Sequence, residues 1–180
     1  MKSVRYVVAM SLDGYIAGPK GEFDWIVMDP EIDFGELFER FDTFLLGRRT
    51  FEAMGPAGLA GMKSMKTTVF SQTLRQEDFP DVTIIGAEGA EKAVAALRAQ
   101  PGKDIWLYGG GSLFRSLLDA GLVDTVEVAV IPILLGGGIP LLPPPASRAR
   151  LMLTGHKVYS QTGIVSLQYS VERGATSPMD

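Results

Sequence analysis

Cysteine is absent from the 180-residue sequence, and histidine occurs once, at His156. The missing thiols exclude disulfides, thiolate metal sites and a cysteine nucleophile, and a single imidazole excludes a histidine-rich metal site. We therefore expect no bound metal. Long apolar runs are also missing, because the stretch that starts near Val4 breaks at Ser11 and Asp13. This run is too short for a signal-peptide core or a membrane span, so we expect a cytoplasmic protein without membrane contacts.

An excess of positive charge is likewise missing. The chain has 17 lysines and arginines against 21 acidic residues, a formal net charge of −4. A general nucleic-acid surface needs a basic face, so we expect no nucleic-acid partner, and any phosphate must be held locally. The length favours one domain. We predict a single domain over residues 1–173 and a disordered tail over residues 174–180.

Apolar patterns predict alternating strands and helices. Val4–Met10 reads as a buried strand followed by a turn at Asp13-Gly14. Asp29 is an N-cap candidate, with Pro30 at the first helical position, for a helix whose apolar stripe is Phe34, Leu37, Phe38 and Phe41. Thr43–Gly47 is the next predicted strand, and "RRTFEAM" after it the next helix.

The rest of the chain continues this alternation. "KTTVFS", "VTIIG" and "DIWLYG" are predicted strands, and "AEKAVAALRA" is a predicted helix. A further helix covers Ser112–Ala120 and stops at Gly121. Two last strands, joined by "QTG", form a hairpin. The sequence therefore predicts an α/β protein with a mostly parallel sheet and an antiparallel C-terminal hairpin.

Three consecutive glycines, Gly109–Gly111, stand where a strand meets a helix. Bare amide groups at a helix N-terminus bind anions, but glycine is also common in packing turns at such junctions, and both readings stay open. The Rossmann pattern is not met, because Phe114 occupies its third glycine position, and no P-loop lysine follows.

Two other strand ends carry groups suited to phosphate. Gly47 is followed by Arg48, Arg49 and Thr50 in the first turn of a helix, where arginines oppose the helix dipole unless an anion or a carboxylate answers them. The alternative is that one arginine pairs with a surface acid. Ser71, Gln72 and Thr73 follow a third strand. An open α/β sheet binds dinucleotides at such an edge.

Taken in order, these motifs resemble the dihydrofolate reductase-like superfamily, and especially the C-terminal reductase domain of bacterial riboflavin biosynthesis deaminase-reductase proteins. The matching pieces are "VAMSLDGYIAG", "LLGRRTFEAM", "VFSQT" and "WLYGGGSLFRSLLDAGLVDTVEVAVIPILLGGGIPLL". The resemblance implies that family's three-layer fold, with helices on both faces of the sheet.

The resemblance also implies NADPH as cofactor. It places Ala9 and Ile16 at the nicotinamide, Gly47, Arg48, Arg49 and Thr50 at the phosphates, Ser71 and Gln72 at the 2′-phosphate, and Gly109, Gly110, Gly111, Ser112 and Leu113 at the pyrophosphate turn. It further implies a cis peptide between Gly109 and Gly110. Ser112 departs from the family, since folate reductases often have an arginine there.

The resemblance places the family's proton-supplying acid in the region of Asp29, Glu31 and Asp33, nearest to Glu31, and makes Glu31 and Asp33 the catalytic candidates. Acids in a first helical turn are also expected for capping alone, so this alternative stays open. Trp25 could stack on a flat substrate, although a core role is equally open. Hydride transfer itself needs no nucleophile, because the cofactor brings the chemistry.

Met65 and Ala129 stand where folate reductases carry a tail-binding arginine and a threonine, so the sequence predicts poor dihydrofolate reduction. Lys63, Lys66 and Arg75 are the basic candidates for a substrate phosphate. We expect no deaminase half in this sequence, because the zinc site of that domain needs cysteines. We predict an NADPH-dependent homodimeric reductase of a ribosylamino-pyrimidinone or pteridine-type heterocycle. The alternatives are a non-catalytic dinucleotide-binding module and a true dihydrofolate reductase.

Overall fold

A computed structural model describes residues 1–61 and 65–172 of the chain. Lys63 and the predicted tail at 174–180 lie outside the described residues. The helices are α1 (Phe34–Glu39), α2 (Arg48–Gly61), α3 (Ala90–Ala99) and α4 (Gly111–Asp119). The strands are β1 (Val4–Ser11), β2 (Tyr15–Ala17), β3 (Phe41–Gly47), β4 (Lys66–Phe70), β5 (Thr83–Ile85), β6 (Asp104–Gly109), β7 (Thr125–Ile131), β8 (Ile139–Pro140), β9 (Leu151–Tyr159) and β10 (Ile164–Val171).

Eight strands form one sheet in the order β5-β4-β3-β6-β1-β7-β10-β9. The six strands from β5 to β7 in this order run parallel to one another, and β10 is antiparallel to both β7 and β9. This confirms the predicted parallel sheet with an antiparallel C-terminal hairpin. A second sheet, made of β2 and β8, was not predicted.

Helices cover both faces of the main sheet. Tyr6 of β1 packs in a cluster with Val94 of α3 and Phe114 of α4. The neighbouring Val7 points into the opposite cluster, where Trp106 meets Phe38 of α1. This alternation follows from the two-residue period of a strand, and it gives the three-layer arrangement that the resemblance implies. In the described ranges, no helix combines the length and apolar content needed to cross a membrane.

The start of α1 corrects one prediction. Asp33, not Asp29, is the N-cap: its Oδ1 accepts a hydrogen bond from the Glu36 amide at 2.9 Å. Asp29 is buried and engaged elsewhere, because its Oδ2 accepts the Thr162 hydroxyl at 2.7 Å and its Oδ1 the Glu31 amide at 2.9 Å. Pro30 therefore precedes the helix. Phe41, assigned to the helical stripe, opens β3 instead, two residues before the predicted strand.

Candidate active site at the carboxyl edge of the sheet

The parallel strands end together along one edge of the sheet. Gly47 of β3 is in register with Phe70 of β4, and Leu46 is in register with Gly109 of β6. Ser11 of β1 is in register with Ile131 of β7. The glycine turn, the arginine-bearing helix and the strand end at Ser71 therefore lie beside one another, as an open α/β sheet requires for a ligand.

The glycine turn packs against the start of α2. The Gly109–Gly110 peptide is cis, as the resemblance implies, and Gly110 is the N-cap of α4. A Cβ on Gly47 would lie 3.6 Å from the Gly110 nitrogen, and one on Gly110 would lie 3.2 Å from the Thr50 hydroxyl. The N-termini of α2 and α4 thus converge on one spot. Their free amide groups and dipoles make that spot suited to an anion.

Gly111 is small for a different reason. A Cβ there would lie 2.8 Å from the Pro140 carbonyl oxygen and 2.9 Å from Cδ of Pro143. The third glycine therefore gives room to the segment around β8.

The two residues after the glycine turn differ in exposure. The Ser112 side chain is exposed, whereas Leu113 is buried in the core beneath α4. Any contact of Leu113 with a cofactor would have to come from its main chain.

The two arginines differ in their surroundings. Arg48 Nη1 donates to both carboxylate oxygens of Glu52, at 3.0 and 2.9 Å, one helical turn away. This confirms, for Arg48, the alternative of pairing with a surface acid. Arg49 is exposed, and nothing in the described part of the chain forms an ion pair with it. Within the described residues, Arg49 is therefore the arginine at this helix start that could bind an anion without first breaking an ion pair.

The strand end at Ser71 is built by its hydroxyl. Ser71 is buried, and its Oγ accepts the amide hydrogens of Thr73 and Leu74, at 3.1 and 3.0 Å. Its own amide donates to the Ile85 carbonyl at 2.9 Å. The hydroxyl thus shapes the turn, while the neighbouring Gln72 side chain is exposed at its surface. Gln72 is the more accessible of the two groups predicted for the 2′-phosphate.

The two residues predicted to contact the nicotinamide lie on β1 and β2. Ala9 is in register with Ala129 of β7, and both are half-buried. Ile16 lies in β2, whose neighbours Tyr15 and Ala17 pair with β8. The side chain at each of the two register positions, Ala9 and Ala129, is a single methyl group.

The acidic region lies beside the hairpin turn at the same edge. Glu31 Oε2 is 3.7 Å from Lys157 Nζ, and both side chains are 52% exposed. Asp33 is occupied in capping α1. The pKa of the Asp29 carboxyl lies below its usual range, mainly because the Thr162 hydroxyl donates to it. Asp29 is therefore held ionised, which makes it a poor proton donor.

Trp25, the residue predicted to stack on the substrate, is half-buried, and its Nε1 donates a hydrogen bond to the Glu22 carbonyl at 3.1 Å.

The predicted phosphate partners of a substrate are less well placed. Lys66 is the first residue of β4 and is in register with Thr43, so it starts at the amino edge of the sheet. Arg75 is exposed and pairs with Glu77 at 3.4 Å. In the part of the chain that the structure describes, neither side chain forms a hydrogen bond or an ion pair with the glycine turn or the acidic region.

Sequence reasoning missed the residues that connect the two loops over this edge. The Asp13 carboxylate, on the loop after β1, accepts the amide hydrogens of Leu135 and Gly136 from the loop after β7. A side chain at Gly138 would collide with the Ala17 carbonyl oxygen. The "LDG" turn and the "LLGGG" run were visible in the sequence, but their pairing was not.

Comparison with known proteins agrees with this geometry. Residues 2–165 match the RibD C-terminal domain family. Over 174 residues the chain is 34% identical to the uncharacterized protein YyaP of Bacillus subtilis (strain 168), covering 90% of this chain and 91% of that protein.

Among solved structures, a putative riboflavin biosynthesis protein from Shewanella sp. PV-4 superimposes with a TM-score of 0.76 at 26% identity, over 95% of this chain and 99% of that one. The dihydrofolate reductase of Enterococcus faecalis, solved with NADP(H), gives a TM-score of 0.66 at 20% identity, over 94% and 96%. The second comparison shows the dihydrofolate reductase-like fold.

Proposed function

We propose, from the premise that this chain belongs to the RibD C-terminal domain family, that it is an NADPH-dependent reductase. Its acceptor would be a small heterocycle of the ribosylamino-pyrimidinone or pteridine type. Family membership supports an oxidoreductase of the riboflavin-biosynthesis type. Beyond that, we propose that the cofactor is NADPH, that the reaction is a hydride transfer and that the acceptor is such a heterocycle.

One observation carries the cofactor proposal: two helix N-termini meet at the Gly47–Gly110 contact, beside an arginine with no described partner. Side chains at Gly47 or Gly110 would fill the space there. The residues present therefore fit a dinucleotide, with Gly109 and Gly110 at its pyrophosphate and Thr50 nearby. Arg49, with Gln72 and Ser71, would take the 2′-phosphate. When bound, NADPH supplies a hydride from its nicotinamide ring.

The chain's own residues would bind, orient and exclude water. Ala9 offers a small half-buried surface for the nicotinamide, and Ile16 would contact the same ring. Holding the two reacting carbons in place can supply a large part of the rate enhancement without a nucleophile. This suits a chain that has one histidine and no cysteine.

We propose Glu31 as the first candidate for the proton that follows the hydride. Asp33 is the second, and its use as the α1 N-cap weighs against it. The Glu31 side chain is exposed to solvent. If Glu31 were removed, water could supply the proton in its place, and turnover would continue. Trp25 is proposed to stack on the flat face of the substrate.

Dihydrofolate is the less favoured substrate. Met65 occupies the position of the tail-binding arginine and packs instead in the apolar cluster around Phe44 and Trp106. Ala129 offers no hydroxyl to an acid. An apolar side chain at the first position removes a charge-assisted contact, which is worth about 1.5–3 kcal/mol.

Two alternative functions have to be distinguished from the proposed one. A non-catalytic dinucleotide-binding module would bind NADPH without oxidising it, and the exposed position of Glu31 is the observation that favours it. A true dihydrofolate reductase would prefer dihydrofolate. Steady-state NADPH oxidation with a panel of pyrimidine and pteridine heterocycles separates the three, with direct NADPH binding measured in parallel.

We also propose that the protein is a homodimer, as the resemblance implies, and that it is cytoplasmic, as the sequence predicted. Strand β9 supports the dimer, because it closes the sheet at one edge with exposed Leu151, Met152, Leu153 and Val158. Exposed apolar groups on an edge strand favour pairing with another chain. Light scattering on the purified protein measures the state directly.

A further inference from the structure

The loop between β1 and β2 is fastened to the loop between β7 and β8 by one carboxylate. Asp13 Oδ1 accepts the Leu135 amide at 3.1 Å and the Ser11 hydroxyl at 2.7 Å. Asp13 Oδ2 accepts the Gly136 amide at 2.7 Å. The same Ser11 oxygen accepts the Tyr15 amide at 2.9 Å. Both carboxylate oxygens are therefore used as acceptors across the two loops.

Main-chain bonds flank this carboxylate on both sides. The Leu12 amide donates to the Ile133 carbonyl at 2.9 Å, and the Leu141 amide donates to the Gly14 carbonyl at 2.9 Å. Beyond them, β2 pairs with β8. The two loops thus form one body, with Asp13 at its centre.

That body rests on the glycine turn. The Pro140 carbonyl and the Pro143 ring occupy the space where a Gly111 side chain would lie. Ile16, in β2, and Gly111, at the start of α4, are therefore connected through β8. In the proposed function, these are the nicotinamide end and the pyrophosphate end of the site.

An aspartate suits this position better than its neutral analogue. The hydroxyl of Ser11, followed by the amides of Leu135 and Gly136, holds the pKa of the Asp13 carboxyl below its usual range. An asparagine has the same shape but replaces one acceptor oxygen by an NH₂ group. That group would face an amide or hydroxyl donor, so at least one of the three bonds would be lost.

We propose that Asp13 is a positioning residue for hydride transfer: it fixes the loop that carries Ile16 relative to the pyrophosphate turn. This rests on the proposed function. Asp13 touches neither substrate nor cofactor in this role. Since a misplacement of about 1 Å can cost on the order of 100-fold in rate, loosening this loop would lower kcat far more than it would lower affinity for the phosphates.

The experiment compares Asp13→Asn with Asp81→Asn, an exposed aspartate on the turn before β5, at the far side of the sheet. Binding is measured for NADPH and for 2′-phospho-ADP-ribose, which keeps the adenosine and diphosphate groups but has no nicotinamide ring. For Asp13→Asn we expect unchanged 2′-phospho-ADP-ribose binding, weaker NADPH binding, and a kcat lowered about 10- to 100-fold with any heterocycle that is turned over. Asp81→Asn should match the wild type in all three.

Equal loss of both ligands, or no loss of either, would overturn the proposal. If Asp13→Asn fails to fold, Ser11→Ala removes one donor to the carboxylate and should weaken NADPH selectively, by a smaller factor; an unselective change there would overturn it as well. Wild-type protein that binds neither ligand would instead refute the proposed function. The two failures are therefore distinguishable.

Discussion

Replacing Arg49 with glutamine should remove most of the preference for NADPH over NADH. In the structure Arg49 is exposed at the start of α2 and has no described ion partner, so no existing interaction has to be broken when it meets a phosphate. A hydrogen bond to a charged group is worth about 1.5–3 kcal/mol. Because Arg49 is exposed, the lower figure applies. We expect NADPH affinity to fall about tenfold, with NADH affinity nearly unchanged.

Arg48→Gln provides the internal comparison. Arg48 has to give up its pair with Glu52 before it reaches a phosphate, and such a pair on a helix surface is worth about 0.3–0.5 kcal/mol. Its replacement should therefore cost less than that of Arg49. Arg150→Gln is the matched control, because Arg150 is an exposed arginine just before β9, whose first residue pairs with the end of β10.

Fluorescence or calorimetric titration of the wild type and of each variant with NADPH and with NADH gives, for every protein, the two dissociation constants that the comparison needs. Salt should weaken the Arg49 effect, because the contact is exposed. The assignment of the 2′-phosphate to this helix start would be wrong if Arg49→Gln lost NADPH and NADH affinity equally, or lost neither.

Three further predictions can be tested together. Gly110→Val should abolish NADPH binding because its side chain would fill the space beside Thr50, and a folded variant with normal binding would refute that contact. Dihydrofolate should have a lower kcat/KM than a ribosylamino-pyrimidinone phosphate at saturating NADPH, and the reverse order would make the chain a folate reductase. Thr162→Val should destabilise the protein at neutral pH. The folded-state pKa of Asp29 is lowered, so this contribution is present above the unfolded value of about 3.9 and is lost as pH falls through the folded value. A denaturant midpoint difference that does not shrink in acid would contradict the assignment.

Much of the fold could be predicted because its elements are long and periodic. β1, β3 and β6 are apolar runs that end in a turn or a glycine, and α4 begins and stops at glycines. The order of the strands in the sheet was not predicted, since periodicity alone does not say which strands are neighbours. The carboxyl-edge residues could be predicted because each of them stands at or directly after the end of a predicted strand.

The missed features depend on contacts between distant parts of the chain. β2 and β8 have three and two residues, too few to show a period. Asp13 meets its partners 122 and 123 positions away. Asp29 was the predicted N-cap of α1, but its carboxylate accepts the hydroxyl of Thr162, 133 positions away, and Asp33 caps the helix. No local pattern could have separated the two aspartates.

Only part of the candidate site could be predicted from the sequence. Gly47, Gly109 and Gly110 meet as expected because each follows or ends a parallel strand. Gly111 has the same sequence signal but serves packing against Pro140, which only the folded chain reveals. The two arginines likewise share one pattern, and their difference comes from Glu52.

Transfer of deuterium from NADPH labelled at C4 of the nicotinamide tests the central proposal most directly. Both stereospecific forms of the labelled cofactor are incubated with the protein and the heterocycle panel, and the products are analysed by mass spectrometry. We expect one form to deliver a single deuterium to a pyrimidine or pteridine-type product, and the other form to deliver none. Tight NADPH binding with no labelled product from any heterocycle in the panel would contradict the reductase and favour the binding module.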